Sequence, residues 1–432
     1  MKKWLCIVLV FLVAFGILAC GGDGGKETVN GSEDFQIGFG CVDITPTESV
    51  HLATYKDDDT RISKGALHPL YAYAVVMKGT NGRMMAVVTT DLTLVSQNMM
   101  EKLRPMMKEH FGLEKDQVLF GGTHNHNAPS YGYRDTYDLQ WVNVFDNGCI
   151  EAVRQAIDDL APATAYIGRT ETENMTFVRR YYLANGQMTG DNHNYDHNST
   201  IIAHETEADE EIQLVRFVRE GGHKDIVMVN WQSHTAMHGH TNMISADYAG
   251  PLRDKVAEEL GVHCIFYQGA CGNLNPFSRI PGESTVEPHG YAGAVEVGEL
   301  VADYVIEALN TEGLMQQIET GEVNNTQSKF VGKENFDESN TVTIGDLSFV
   351  TLPAEFYDTL GKTIKDETPY KMTVLLGFHC SRGGYLPTLE GFLNGGYGPS
   401  SSRYLAGEGE QFVQHYLDIL NDMYKTENPK FS

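Results

Sequence analysis

Two short histidine runs are where this chain could do chemistry. The first is Gly121-Gly122-Thr123-His124-Asn125-His126-Asn127-Ala128-Pro129, directly after the apolar run Gln117-Val118-Leu119-Phe120. That run reads as a buried strand. In extended or turning backbone, residues i and i+2 project to the same side, so His124 and His126 can face one point. Strand-end loops are a common place for chemistry. Taken alone, the pair reads equally well as two polar loop histidines bonded to backbone. The second run, Gln232-Ser233-His234-Thr235-Ala236-Met237-His238-Gly239-His240, follows the strand-like Val227-Met228-Val229-Asn230-Trp231. His234, next to the strand, reads as a ligand, whereas His238 and His240 read as polar loop residues. Two such loops are what a metal site on a sheet rim needs. Catalytic zinc takes three or more N or O ligands and keeps a position open for water. Glu355, in Leu352-Pro353-Ala354-Glu355-Phe356, could complete the sphere. From its surroundings alone it reads instead as an ordinary helix-start acid, favoured there by the helix dipole.

The elements that must hold these residues alternate between strand and helix. Gln36–Pro46, Leu70–Lys78 and Met84–Thr90 read as strands, the last two joined by the hairpin signal Gly79-Thr80-Asn81-Gly82. Ser96–Phe111 has helical spacing and stops at Gly112. Val142–Leu160, Ala249–Leu260, Ala292–Leu309 and Gln411–Met423 read as helices. Ile212–Val218, Ile226–Trp231, Cys264–Gln268, Thr341–Leu352 and Thr373–Phe378 read as strands. His51–Gly65 and Tyr181–His204 are polar and read as loops. The order has no regular βαβ beat. It fits an α/β (mixed α+β) fold of mixed sheets flanked by helices. H-E-x-x-H, G-x-S-x-G, P-loop and G-x-G-x-x-G motifs are absent, which argues against serine hydrolases and nucleotide enzymes.

The chain has 432 residues with 32 Lys and Arg against 58 Asp and Glu, a formal charge of −26. A surface this acidic argues against nucleic acid, whose phosphates need clustered cations. Lys2 and Lys3 precede the apolar stretch Trp4–Leu18, and Ile17-Leu18-Ala19-Cys20 ends it. Residues 1–19 are expected to be a lipoprotein signal peptide. Cleavage would leave a lipidated Cys20 on the flexible tether 20–35. The expected location is the bacterial cell envelope, secreted across the inner membrane and anchored to a membrane surface. The five later cysteines, Cys41, Cys149, Cys264, Cys271 and Cys380, have no metal or redox spacing and read as buried small hydrophobes.

Several ordered blocks resemble the neutral/alkaline ceramidases. Gly38-Phe39-Gly40-Cys41-Val42-Asp43-Ile44-Thr45-Pro46 is similar to the family's opening G-x-x-x-x-D-I-T-P. Leu67-His68-Pro69-Leu70-Tyr71-Ala72 and Thr89-Thr90-Asp91 follow. Gly122-Thr123-His124-Asn125-His126-Asn127-Ala128-Pro129 resembles G-T-H-T-H-S-G-P, with Asn127-Ala128 in place of Ser-Gly. Asn230-Trp231 with His234, then Ile244–Gly250, resembles the second histidine block. Gly272-Asn273-Leu274-Asn275-Pro276 resembles G-D-x-x-P. The resemblance spans residues 36 to about 425. It implies a zinc hydrolase domain over 36–432, without the C-terminal β-sandwich of full ceramidases. It implies cleavage of the N-acyl bond of ceramide or a related N-acyl lipid by zinc-bound water. His124, His234, Glu355 and Tyr385 would be the zinc ligands. Tyr397 would polarise the scissile carbonyl, and His126 would orient substrate or shuttle a proton. Arg179 matches the family's N-R block with Val178 in place of Asn, and Arg180 beside it leaves the choice of arginine open. A zinc esterase, deacetylase or peptidase, or a surface lipoprotein that only binds, are the alternatives. No obligate protein partner is expected.

Overall fold

The computed structural model describes residues 34–54, 60–132, 135–189, 200–288, 290–333 and 336–429. The expected signal peptide, Cys20 and most of the tether lie outside the described residues.

A nine-stranded mixed sheet is the centre of the molecule. Its strands include β1 (Gln36–Asp43), β2 (Tyr71–Lys78), β3 (Met84–Thr90), β4 (Val118–Gly122) and β5 (Ala161–Glu171). From one edge the order is His263–Gln268, Ile226–Trp231, Glu211–Arg219, β5, β1, β2, β3, β4, with Gln316–Gln317 added on β5. The pairing is parallel at β3–β4 and at Ile226–Trp231 with His263–Gln268. The other pairs are antiparallel. A parallel neighbour requires a crossover; α1 (Gln97–Phe111) supplies it between β3 and β4, and α3 (Ala249–Leu260) between Ile226–Trp231 and His263–Gln268. Further helices are α2 (Thr136–Asp158), α4 (Tyr291–Asn310) and α5 (Asp358–Glu367).

The period of two along each strand builds the layers. On β2, Ala72, Ala74 and Val76 join a core with α1 and α2, while Tyr73, Val75 and Met77 face the other way. On Ile226–Trp231, Val227, Val229 and Trp231 pack with α3 and α4, and Ile226 and Met228 join the residues opposite. The shared inner core is closed by a second sheet of Val323–Val331, Phe336–Ile344, Leu347–Leu352 and Met372–Gly377, through Phe349, Val374 and Leu376. Leu352 and Leu375 point outward from that sheet, onto α5 and the C-terminal helix Glu408–Glu427. The result is four layers: helices, sheet, sheet, helices. Small residues set the spacing, since a Cβ at Gly40 would sit 1.9 Å from the Ala152 carbonyl oxygen of α2.

Two local expectations are corrected, and one strand has no counterpart in the sequence reading. Tyr181–His204 is not one loop: Tyr181–Leu183, Met188–Thr189 and Ile201–His204 form a small three-stranded sheet. Val323–Val331 is a strand although its sequence is polar, because it lies at a sheet edge and its residues are mostly half-buried. Glu355 does not start a helix. It lies on the short strand Glu355–Phe356, and α5 begins three residues later at Asp358.

Candidate metal centre

Both histidine loops leave strands that have a parallel partner, and they converge. His124, His126 and His234 bring ring nitrogens within 4.8 Å of one another. His124 adopts φ of +61°, a left-handed conformation that a β-carbon disfavours. Asn125 holds that turn, donating through Nδ2 to the Asp91 and Ser245 carbonyls at 3.1 and 2.6 Å.

Backbone carbonyls set the tautomers. His124 Nδ1 lies 3.0 Å from the Thr93 carbonyl oxygen, and His234 Nδ1 lies 2.8 Å from that of Cys271. A carbonyl only accepts, so each Nδ1 carries the proton and each Nε2 presents a lone pair. Yet the two Nε2 atoms are 3.1 Å apart, and His126 Nε2 is 3.3 Å from that of His124. Glu355 Oε2 lies 3.6 Å from His124 Nε2 and 3.3 Å from His234 Nε2, buried and without a hydrogen-bond partner. Electron-rich atoms facing one another in a dry site lack a cation, and this donor set suits zinc. Burial, reinforced by Arg179, brings the His234 pKa down to about 3. Burial and the neighbouring imidazoles of His124 and His234 hold His126 well below its usual value. Both rings therefore stay neutral, as ligation requires.

Glu355 and Tyr385 are register partners in a short parallel pair, so they emerge side by side. Gly272 lets the neighbouring loop approach: a Cβ there would meet the Glu355 carbonyl oxygen at 2.4 Å. One Arg179 nitrogen reaches His234 Nε2 at 3.2 Å, the Tyr385 hydroxyl at 3.0 Å and the Gly272 carbonyl at 2.8 Å. Arg180 turns away to Glu205 and to the Gly391 and Gly395 carbonyls. The Tyr397 ring lies 5.5 Å from that of Tyr385. His238 bonds Ser245 at 2.8 Å, outside the cluster. All five described cysteines are free thiols, and four are buried.

Four supports had no signal in the sequence. Thr93 and Cys271 act through backbone oxygens, which any residue has. Phe378 stacks on His124 with centroids 4.0 Å apart and planes 7° apart. Buried Arg61 comes from a stretch read as a polar loop. It donates to the carbonyls of Ala53 at 2.7 Å, Thr241 at 2.7 Å and His126 at 3.0 Å, and to Asn127 Oδ1 at 2.6 Å. One guanidinium thus ties both histidine loops together. It also uses the Asn that stands where the family pattern has Ser.

Residues 35–260, more than half of the chain, match the family model for the neutral/alkaline non-lysosomal ceramidase N-terminal region. Neutral ceramidase B of Dictyostelium discoideum is 24% identical over 279 residues, which cover 58% of this chain and 37% of that protein. The chain thus matches well under two thirds of that relative's length. The neutral ceramidase of Pseudomonas aeruginosa superposes with a TM-score of 0.72 at 17% identity, over 89% of this chain and 74% of that one. A ceramidase complexed with C2 gives 0.73 at 16%, over 91% and 76%. These two structures share the fold. The chain belongs to the neutral/alkaline non-lysosomal ceramidase family.

Proposed function

We propose that the protein is a zinc-dependent amide hydrolase that cleaves the N-acyl bond of ceramide or a related N-acyl lipid. The observation that carries this reading is the set of inward-facing, proton-free imidazole nitrogens around the orphaned Glu355 oxygen. His124, His234, Glu355 and Tyr385 would hold the zinc. When bound, zinc supplies Lewis acidity and brings the pKa of water toward neutrality, so an amide carbonyl can be attacked at physiological pH.

The side chains do the rest. Arg179 binds the Tyr385 hydroxyl and adds positive charge beside His234, which favours a developing oxyanion. The hydroxyl of Tyr397 polarises the scissile carbonyl. His126 is the cluster member left over once four ligands are assigned. Burial keeps its ring neutral in the resting site, and in the proposed reaction it relays a proton to the leaving amine. The layers beneath exclude water, since His124, His234 and their neighbours Thr123 and Asn125 are 3% exposed or less. At the N-terminus, the Ala19-Cys20 junction supports a lipid anchor in the bacterial cell envelope, which would bring the site to a membrane surface. No described helix is long and apolar enough to cross a membrane.

The test is metal content and N-acylsphingosine hydrolysis on the same preparation, with His124→Ala alongside. One zinc per chain and turnover lost in the variant is the expected result. Zinc without turnover on any N-acyl lipid would overturn the substrate, and absence of zinc would overturn the mechanism.

A further inference from the structure

Arg179 and Arg180 are neighbours in sequence and diverge in space. Arg179 enters the metal centre, where it donates to the Tyr385 hydroxyl at 3.0 Å. Arg180 is buried and forms a forked pair with Glu205, Nε on Oε2 and Nη2 on Oε1, the latter at 2.9 Å. It also reaches the segment that carries Tyr397. Nη1 donates to the Gly395 carbonyl at 2.8 Å, and Nη2 to that of Gly391 at 3.2 Å. Glu205 Oε1 accepts in addition from Asn394 Nδ2 at 2.8 Å. The ion pair thus grips the short helix Leu389–Asn394 at two residues and the joint that follows it.

That joint has little stiffness of its own. Gly395 and Gly396 have φ of +70° and +96°, and glycine reaches many such conformations at similar cost. Tyr397 comes next and opens the helix Tyr397–Ser400. The Tyr357 ring closes the other side. Arg180 lies 5.5 Å from its centroid, and a Cβ at Gly398 would overlap its hydroxyl. Tyr357 stands two residues after Glu355. The segment is therefore seated on a ring that follows the Glu355 strand and held by the residue after Arg179. A buried ion pair is weak evidence for stability. Here its hydrogen bonds converge on the backbone beside one side chain, Tyr397.

We propose that Arg180 is a positioning residue: its pair with Glu205 clasps the glycine joint and so fixes the Tyr397 hydroxyl for the scissile carbonyl. The catalytic half of this statement rests on the proposed function, whereas the clasp does not.

Hydrogen exchange of the full-length protein, read by mass spectrometry, tests the clasp without turnover. The Gly395, Ser400 and Ser401 amides bond carbonyls within the segment itself and open when it comes loose. In Arg180→Met, peptides covering 389–401 are expected to exchange faster, while those covering His124 and His234 stay as they are. Unchanged exchange over 389–401 would overturn the clasp, and so would an equal rise at both histidine loops. Should Arg180→Met fail to fold by circular dichroism, Arg180→Lys takes its place, keeping the charge and losing the fork. The positioning is read from a double-mutant cycle on N-acylsphingosine hydrolysis, with zinc content measured alongside. Arg180→Met is expected to lower kcat about 100-fold, the scale of a misplacement of about 1 Å, with KM and zinc stoichiometry little changed. In a Tyr397→Phe background the same change is expected to cost about twofold or less, since the group being positioned is gone. An equal loss in both backgrounds would overturn the positioning role. Absence of turnover in the unmodified protein would overturn the proposed function instead, and the exchange result would still decide the clasp.

Discussion

Among the described residues, two groups of side chains have the composition and spacing of a metal site, and only in one do ring nitrogens and a carboxylate oxygen crowd together without pairing among themselves. His51, Asp135 and Asp138 stand as close together as His124, His126 and His234. In the first group each side chain has a local hydrogen-bond task. Asp135 Oδ1 accepts from the Tyr137 and Asp138 amides at 2.8 and 2.9 Å and caps α2. Asp138 accepts from the backbone amide of His51 at 3.0 Å and from its ring at 2.9 Å. In the second group the backbone has claimed one nitrogen each of His124 and His234 and left the other facing its like. Proximity of ligand types is therefore a poor marker. Lone pairs crowded against one another in a buried place are a better one.

The sharpest way to break this contrast is His234→Ala. Typical zinc sites hold the ion by about 10–16 kcal/mol, so removing one of four ligands should weaken zinc by roughly 100- to 1,000-fold, read by chelator competition. Asp138→Asn should leave zinc affinity unchanged, and a parallel loss there would sink the comparison. Next in size is Arg61→Met, which removes a buried clamp on both histidine loops. It should cost about 2 kcal/mol or more of stability and raise the zinc Kd, with Arg61→Lys recovering only part of each.

Acid should separate the groups further. The His234 pKa is about 3 in the folded chain against 6.5 when unfolded. Between those values the unfolded chain binds a proton that the folded chain refuses. Stability of the metal-free protein therefore falls as pH drops from 6.5 toward 3, by up to about 1.4 kcal/mol per pH unit from this group. His126 acts in the same direction. Melting temperature against pH should be shallower in His234→Gln. The smallest effect is expected for Asp135→Ala, which removes an N-cap at a cost of about 1 kcal/mol with zinc stoichiometry unchanged.

The sequence announced what repeats and missed what is local to three dimensions. Strands and helices of the main layers were legible from continuous apolar runs, as on β2, and from apolar residues at helical spacing, as on α1. His124 and His234 were legible because each follows such a strand. Glu355 was ambiguous, because a proline before an acid looks like a helix start, and only pairing with Tyr385 makes it a strand. Val323–Val331 was missed because edge strands need not be apolar. Arg61 was missed because its value lies in carbonyl oxygens of three separated segments, and no local pattern encodes that.

The pairing of Glu355 with Tyr385 has a consequence for anyone re-engineering this chain. Parallel neighbours cannot be joined by a tight turn, and here the connection is α5 followed by Met372–Gly377. The two side chains are thus the ends of one cassette, and they transfer to another scaffold only with the whole segment between them. Slipping that register by one residue would turn one of the two away from its neighbour. Substitutions outside residues 355–385 leave that cassette, and the spacing of its two ends, intact.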